Sequence, residues 1–318
     1  MKLVDSVLEA TVVPSFTRLG PVVRSRTENW TDLESYELAG RTIAITGATS
    51  GIGMVAAQQL AELGARLVVV GRNQEKTERV VAGLARPNDA SHEAVIADMG
   101  DFEAVRQASK KMALFDGLDT LIHNAGALLN ERRETESGHE ATVASQVLGP
   151  FLMTTLLLDT LKARPATRVL TMSSGGMYTA ALTVDQLEMG KPEGDEYKGV
   201  EQYARAKRAQ VTLTEEWARR YADTTVRFHS LHPGWVNTPG VHDAIPGFGK
   251  VVGPLLRTPA EGADTLVWLT ADAEALASNG KFWHDRQTRS IHRLSKTRRS
   301  DTPERRLRLW DWCVAQTS

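Results

Sequence analysis

The sequence predicts an α/β protein, a Rossmann-type doubly wound parallel sheet in a single domain. Three observations carry that expectation. From residue 41 onward, short β-branched runs alternate with longer helical ones, as in strands joined by crossover helices. The strand-like runs are apolar almost throughout, which suits strands buried on both faces of a parallel sheet. Between the first strand and the first helix lies Thr46-Gly47-Ala48-Thr49-Ser50-Gly51-Ile52-Gly53, a glycine-rich turn.

Each element follows in order. Arg41–Ile45 reads as a strand and Ile52–Leu63 as the helix after it. Arg66–Gly71 leads to Asn73–Leu84, His92–Ala97 to Phe102–Phe115, and Leu118–His123 to the long stretch His139–Ala163. Arg168–Ser173 precedes Val200–Tyr221, and Val226–His232 precedes Ala260–Thr270. Right-handed crossovers would place these helices on both faces, with ligands beyond the carboxyl ends of the strands.

The flanks stand outside this alternation. Residues 1–38 read as an N-terminal arm, residues 39–284 as the Rossmann-type domain, and residues 285–318 as a basic C-terminal tail. Leu3–Val13 is amphipathic and stopped by Pro14. It reads either as an arm packed on the domain or as a helix lying on a membrane surface. Residues 285–308 are rich in Arg and Lys, which suits a solvated tail or, alternatively, a polyanion partner.

Composition excludes several classes. With 38 basic and 39 acidic side chains in 318 residues, charge gives no case for nucleic acid as a partner. The single cysteine, Cys313, rules out an internal disulfide framework. Eight histidines lie scattered without ligand spacing, so no metal site is expected. No apolar run reaches the roughly 18 residues that span a bilayer, and no signal peptide is legible. The expectation is a cytoplasmic enzyme without a transmembrane segment.

The glycine turn carries the first chemistry. Glycine accepts φ > 0 and lets backbone approach a pyrophosphate closely, and the helix that follows aims free N–H groups at it. Tyr203 and Lys207, four apart on a helix, share a face. A cation there would lower a phenol from about 10 toward neutrality. Ser174, at the end of the fifth strand, would share that edge and could hydrogen-bond a substrate oxygen; a plain strand-ending turn is the bland alternative. A serine nucleophile is disfavoured, because no Gly-x-Ser-x-Gly elbow is present.

Together these motifs resemble the classical short-chain dehydrogenase/reductase family. The resemblance covers about residues 40–285 and rests on Thr46–Gly53, Asp98, Asn124-Ala125-Gly126, Ser174, Tyr203 with Lys207, and Pro233-Gly234-Trp235-Val236-Asn237-Thr238. More narrowly, Ser173–Met177, His232–Gly240, Pro246-Gly247-Phe248 and Gly262–Thr265 resemble the member-twelve type of the dehydrogenase/reductase group. The resemblance implies that Tyr203 is the general acid or base, Lys207 its partner on the nicotinamide ribose, and Ser174 the group polarising the substrate oxygen. It further implies a cofactor site from Thr46, Gly47, Thr49, Ser50, Gly51, Ile52, Gly53, Arg72, Asp98, Met99, Asn124, Ala125, Gly126, Pro233, Gly234, Val236 and Thr238. Asp98 would lie near adenine and Thr238 near the carboxamide. A homodimer or homotetramer through the long fifth and sixth helices is implied too, unless the long tail blocks it.

Departures are informative. His123 replaces the first asparagine of the family's Asn-Asn-Ala-Gly. Gln146 occupies the place of the proton-relay asparagine; it either serves the relay through water or packs within its own helix. The segment Tyr178–Gln202 reads as an inserted loop containing Gly190–Gly194. Gly71-Arg72 ends the second strand where an NAD enzyme carries an acid, which points to NADP(H), unless Arg72 is only a solvated turn residue. Met177, Tyr178, Ala180–Leu182, Trp235 and Val241–Val252, with Ile245 and Phe248, suggest an apolar wall for a small aldehyde, ketone or secondary alcohol, or simply core. The rivals are a non-catalytic NADP(H) sensor and a lyase or epimerase. Intact Ser174, Tyr203 and Lys207 argue against the first, and the glycine spacing against the second.

Overall fold

The computed structural model describes residues 2–115, 117–187, 197–238 and 253–318. Its centre is an eight-stranded sheet in the order β3-β2-β1-β4-β5-β6-β7-β8. The strands are β1 Thr42–Thr46, β2 Arg66–Gly71, β3 Glu93–Ile96, β4 Thr120–His123, β5 Thr167–Met172, β6 Val226–Leu231, β7 Lys281–His284 and β8 Gln287–Arg289. All neighbours pair in parallel except β7 and β8. The order reverses between β1 and β4, so the crevice for a ligand opens where Thr46 and His123 end their strands.

Helices cover both faces, as the buried strands require. The arm holds α1 Lys2–Ala10, α2 Val12–Phe16 and α3 Leu19–Glu28. The core helices are α4 Gly51–Glu62, α5 Gln74–Gly83, α6 Phe102–Ala113, α7 Ala141–Val143, α8 Gly149–Lys162 and α9 Gly199–Arg220. They are followed by α10 Pro259–Ala271, α11 Glu274–Ala277, α12 Ser295–Ser300 and α13 Pro303–Thr317. One face buries Val68, Leu121, Phe151, Leu213 and Trp217. The other buries Ile43, Leu60, Val69, Leu170 and Leu266. Adjacent residues Val68 and Val69 thus serve opposite layers, the period of two that a doubly covered sheet imposes.

The long stretch expected as one helix is not uniform. A π-turn at Ala144–Leu148 separates α7 from α8. Pro150 has no N–H for the carbonyl of Gln146, and that carbonyl accepts instead from Gln210 Nε2 at 2.7 Å. Ala141–Lys162 is also long and apolar enough to cross a membrane, contrary to the sequence expectation. Its most apolar window is 78% buried inside the fold, as a core helix would be.

The solvated-tail reading of 285–308 gives way to packed structure. Arg289 bridges to Asp5 at 2.6 Å, Arg293 pairs with Glu9, and Arg306 binds Asp301 at 2.5 Å and Glu215 at 2.6 Å. Arg286 binds Asp264 at 2.6 Å and lies over the Trp30 ring. The arm is correspondingly clamped to the domain rather than free. Helix α13 buries Leu309, Trp310 and Cys313, with Trp310 against Phe151 and Trp217 at 5.0 and 4.7 Å. It packs in cis on α9, the fifth of the predicted helices and one of the two through which a homo-oligomer was expected.

Candidate active site

The glycine turn is built by close approach. Gly47 has φ +69°, and a Cβ there would lie 2.6 Å from Ala125 Cα; a Cβ on Gly53 would strike Asn124 Nδ2 and the Gly47 carbonyl. Only glycine lets this turn sit against the loop after β4. Thr46 Oγ1 accepts from the N–H groups of Asn124 and Ala125 at 3.1 and 3.0 Å. Asn124 Nδ2 donates to the carbonyls of Thr46 and Gly47, both at 3.1 Å. Thr46 and Asn124 are therefore braces that hold the turn, with their polar atoms committed to protein. Ser50 is exposed at the N-cap of α4 and makes no side-chain cap bond. That leaves the first-turn N–H groups without a side-chain cap, beside half-buried Thr49 and Gly51, while Ile52 packs toward Gly262. A pyrophosphate fits this cradle in both shape and charge.

Beside it, β5 and α9 present the candidate reacting groups. Ser174 follows β5, and its Oγ accepts from Gly176 N at 3.2 Å, opening a 3-10 turn over Gly175–Thr179. Tyr203 and Lys207 lie one turn apart on α9, with the ammonium 5.2 Å from the phenol ring centre. Lys207 Nζ donates to the carbonyl of Met172 at 2.9 Å, and Ser173 Oγ to the carbonyl of Lys207 at 3.1 Å. These bonds fix α9 across the end of β5.

The electrostatics differ from the sequence expectation. Burial raises the Tyr203 phenol above its ordinary value, and the Ser174 hydroxyl bonded to it pulls the other way. Lys207 is desolvated and lowered to about 7, so it is a weak cation near neutrality. In the cofactor-free protein the Tyr203 phenol thus moves up rather than down. Desolvation acts on both groups and wins.

Gln146 sits in the π-turn, fully buried. Its Nε2 donates to the carbonyl of Ala127 at 2.6 Å, while its Oε1 has no partner among the described residues. A Cβ on Gly126 would lie 3.0 Å from that Oε1 and 3.4 Å from Lys207 Nζ. Amide and ammonium thus flank one point on the cofactor-side loop. The inserted amide anchors the loop and still offers an acceptor toward Lys207.

At the end of β2, a Cβ on Gly71 would strike Thr77 Oγ1, so a longer side chain there would have to displace Thr77. Arg72 is 80% exposed and lies 3.6 Å from Asp98. Asp98 Oδ1 also accepts from Gly100 N at 2.8 Å. An exposed pair of this kind is worth at most about 1 kcal/mol and yields readily to a phosphate.

Known proteins give the same picture. The family described as short chain dehydrogenase matches residues 41–183. The chain is 36% identical over 263 residues to dehydrogenase/reductase SDR family member 12 of Homo sapiens, covering 82% of this chain and 81% of that protein. The chain belongs to the short-chain dehydrogenase/reductase family. It is of the member-twelve type within it. It is also 33% identical over 266 residues to polyprenol dehydrogenase of Homo sapiens, covering 79% of each. A short chain dehydrogenase of Escherichia coli solved with NADPH superposes with a TM-score of 0.64 at 23% identity, over 81% of this chain and all of that one.

Not every residue that the family motif suggested faces the site in this short-chain dehydrogenase/reductase. Val236 is buried against Gly262, and a Cβ on Gly234 (φ +81°) would meet the Arg257 guanidinium, so both are shaped by packing. Met99 is buried, and its carbonyl abuts Gly149. Thr238 reaches the turn, with Cγ2 3.5 Å from a Cβ on Gly51. His123 is a packing residue: Nε2 pairs with Thr154 Oγ1 at 2.8 Å, and burial lowers it to about 3. Met177 and Tyr178 belong to a cluster with Phe16, Val211, Phe282 and Ile291, and Leu182 to the main core. Gly190–Gly194, Gly240 and Val241–Val252 lie outside the described residues.

The sequence did not single out Arg257, Asp285 and Arg24, which bury a charge network behind the site. Arg257 Nη1 and Arg24 Nη1 each lie 2.5 Å from Asp285. Asp285 and Arg286 hold φ of 52° and 55°, the turn of the β7–β8 hairpin. A turn needing two left-handed residues usually takes Asn-Gly, so Asp-Arg left no readable signal.

Proposed function

We propose that this family member is an NADP(H)-dependent oxidoreductase acting on an apolar aldehyde, ketone or secondary alcohol. The observation that carries it is the juxtaposition of Ser174, Tyr203 and Lys207 beside a turn shaped for pyrophosphate. A nicotinamide held beside these residues would supply the hydride chemistry at the substrate carbonyl carbon. Tyr203 gives its hydroxyl proton to the carbonyl oxygen in reduction and receives it in oxidation. Ser174 Oγ, next to Tyr203, orients that oxygen. Lys207, anchored on Met172, holds the ribose side of the site and is near enough to neutral to exchange a proton. Because burial keeps the phenol protonated, the resting site is poised for reduction.

Arg72 supports NADP(H) over NAD(H): no carboxylate opposes a 2′-phosphate at Gly71, and the guanidinium projects into solvent. Support for an apolar substrate comes from a relative whose name specifies polyprenol.

A panel of carbonyls and alcohols, each with NADPH or NADH and NADP or NAD, tests the reading through nicotinamide absorbance. Turnover of hydrophobic carbonyls with NADPH is expected. Cofactor binding with no turnover on any of them would return the sensor reading.

A further inference from the structure

Immediately after β6 stands His232, fully enclosed. Its Nδ1 accepts from Gly175 N at 3.1 Å and lies 3.3 Å from Gly234 N. Gly175 directly follows Ser174, and Gly234 opens the segment that runs to Thr238. One nitrogen lone pair therefore ties together two loops from different strands. An accepting Nδ1 places the ring hydrogen on Nε2, which has no hydrogen-bond partner among the described residues. Burial, with the Arg257 guanidinium nearby, keeps the ring well below its ordinary pKa, so the acceptor persists at working pH.

The ring is held from the arm. Phe16 meets it edge-on at 4.4 Å, and His284 stacks on it at 4.7 Å. The Phe16 carbonyl accepts from Trp235 N at 2.7 Å and from Arg257 Nε at 3.1 Å. Its ring fills the space beside the serine loop: a Cβ on Gly175 would lie 2.7 Å from Phe16 Cε2. Thus a residue of the N-terminal arm touches both loops that His232 ties.

We propose that His232 is a positioning residue, seated by Phe16, that sets the Ser174 loop and the Pro233–Thr238 segment in register with each other. The inference rests on the reading of Ser174 and Tyr203 as the reacting pair. A packing role alone would tolerate any side chain of similar volume. A tether requires a lone pair where Nδ1 now lies.

Full-length His232→Leu, His232→Asn and Phe16→Leu proteins separate these cases. Asparagine keeps an acceptor close to the Nδ1 position; leucine keeps bulk and leaves two buried N–H groups unpaired. With NADPH and a carbonyl reduced by the wild type, His232→Leu should lose roughly 10²-fold in kcat, the scale of a misplaced reacting group, with NADPH affinity little changed. His232→Asn should recover most of that loss. Hydrogen exchange at the Gly175 and Gly234 amides should be faster in His232→Leu, intermediate in Phe16→Leu and near wild type in His232→Asn. Wild-type kcat in His232→Leu overturns the proposal, as does an equal loss in His232→Asn or unchanged amide exchange. If His232→Leu does not fold, His232→Asn decides alone by the same measures. A Tyr203→Phe enzyme that stays active would instead sink the catalytic reading, and the exchange data would still decide the tether.

Discussion

The half of the molecule around β1–β4 and the half around β5–β8 are held together by different means. In the first, the site is assembled by backbone: glycines, one threonine and one asparagine bring the turn after β1 against the loop after β4. In the second, it is assembled by side chains from far along the sequence. Arg24, Arg257 and Asp285 meet in the interior, and Phe16 reaches a loop more than 150 residues downstream. Backbone fitting tolerates little change at particular glycines. A buried charge network tolerates none of its members being removed alone, because the remaining charges lose their partner without regaining water.

The comparison breaks if the distant network is dispensable. Asp285→Ala would leave Arg257 buried without its carboxylate and Arg24 with only Asp5 and Glu9, and should cost about 3–5 kcal/mol in denaturant unfolding. A loss within a few tenths would show that water replaces the anion and that the second half is not ionically held.

Next in size is Tyr203→Phe, which keeps the ring and removes the proton donor. Turnover should fall by roughly 10² or more, with cofactor affinity little changed in a fluorescence titration. Arg72→Ala probes the backbone-built half. It should weaken NADPH by about tenfold while leaving NADH nearly as before, since one charge-assisted phosphate contact is worth about 1.5–3 kcal/mol and this side chain is exposed. Equal affinities of the wild type for the two nucleotides would remove the NADP(H) assignment.

Lys207 sharpens the comparison through pH. Its folded pKa of about 7 lies below the ordinary 10.5, so the folded state binds fewer protons than the unfolded one between these values. Stability of the cofactor-free protein should rise with pH across that window and be flat below it from this group. Melting temperatures of Lys207→Met should lose that rise. Smallest of all, Gln146→Asn shortens the reach to Ala127 and should cost about 1 kcal/mol in stability. A large change in the solvent isotope effect on turnover would show that Oε1 serves the proton path.

Local pattern made the fold and much of the candidate site readable. Alternation identified β1 to β6, and the glycine spacing put the turn where it stands, because both depend on residues close in sequence. β7 and β8 escaped notice: they are short, and Lys281 and Arg289 at their ends mask the apolar pattern. The π-turn at Gln146 had a signal in Pro150, four residues on, but what takes the freed carbonyl is Gln210 from another helix.

By itself the sequence determined six strands of the sheet, the dinucleotide turn, and the Ser174, Tyr203 and Lys207 constellation. Only the tertiary structure decided the sign of the Tyr203 shift, since desolvation depends on everything that surrounds a group and not on its neighbour four residues away. It alone decided, too, that Arg286, Arg289, Arg293 and Arg306 are structural. A run of arginines reads the same in any chain, and whether it is solvated or paired depends on where the acids of the arm, Asp5 and Glu9, come to lie.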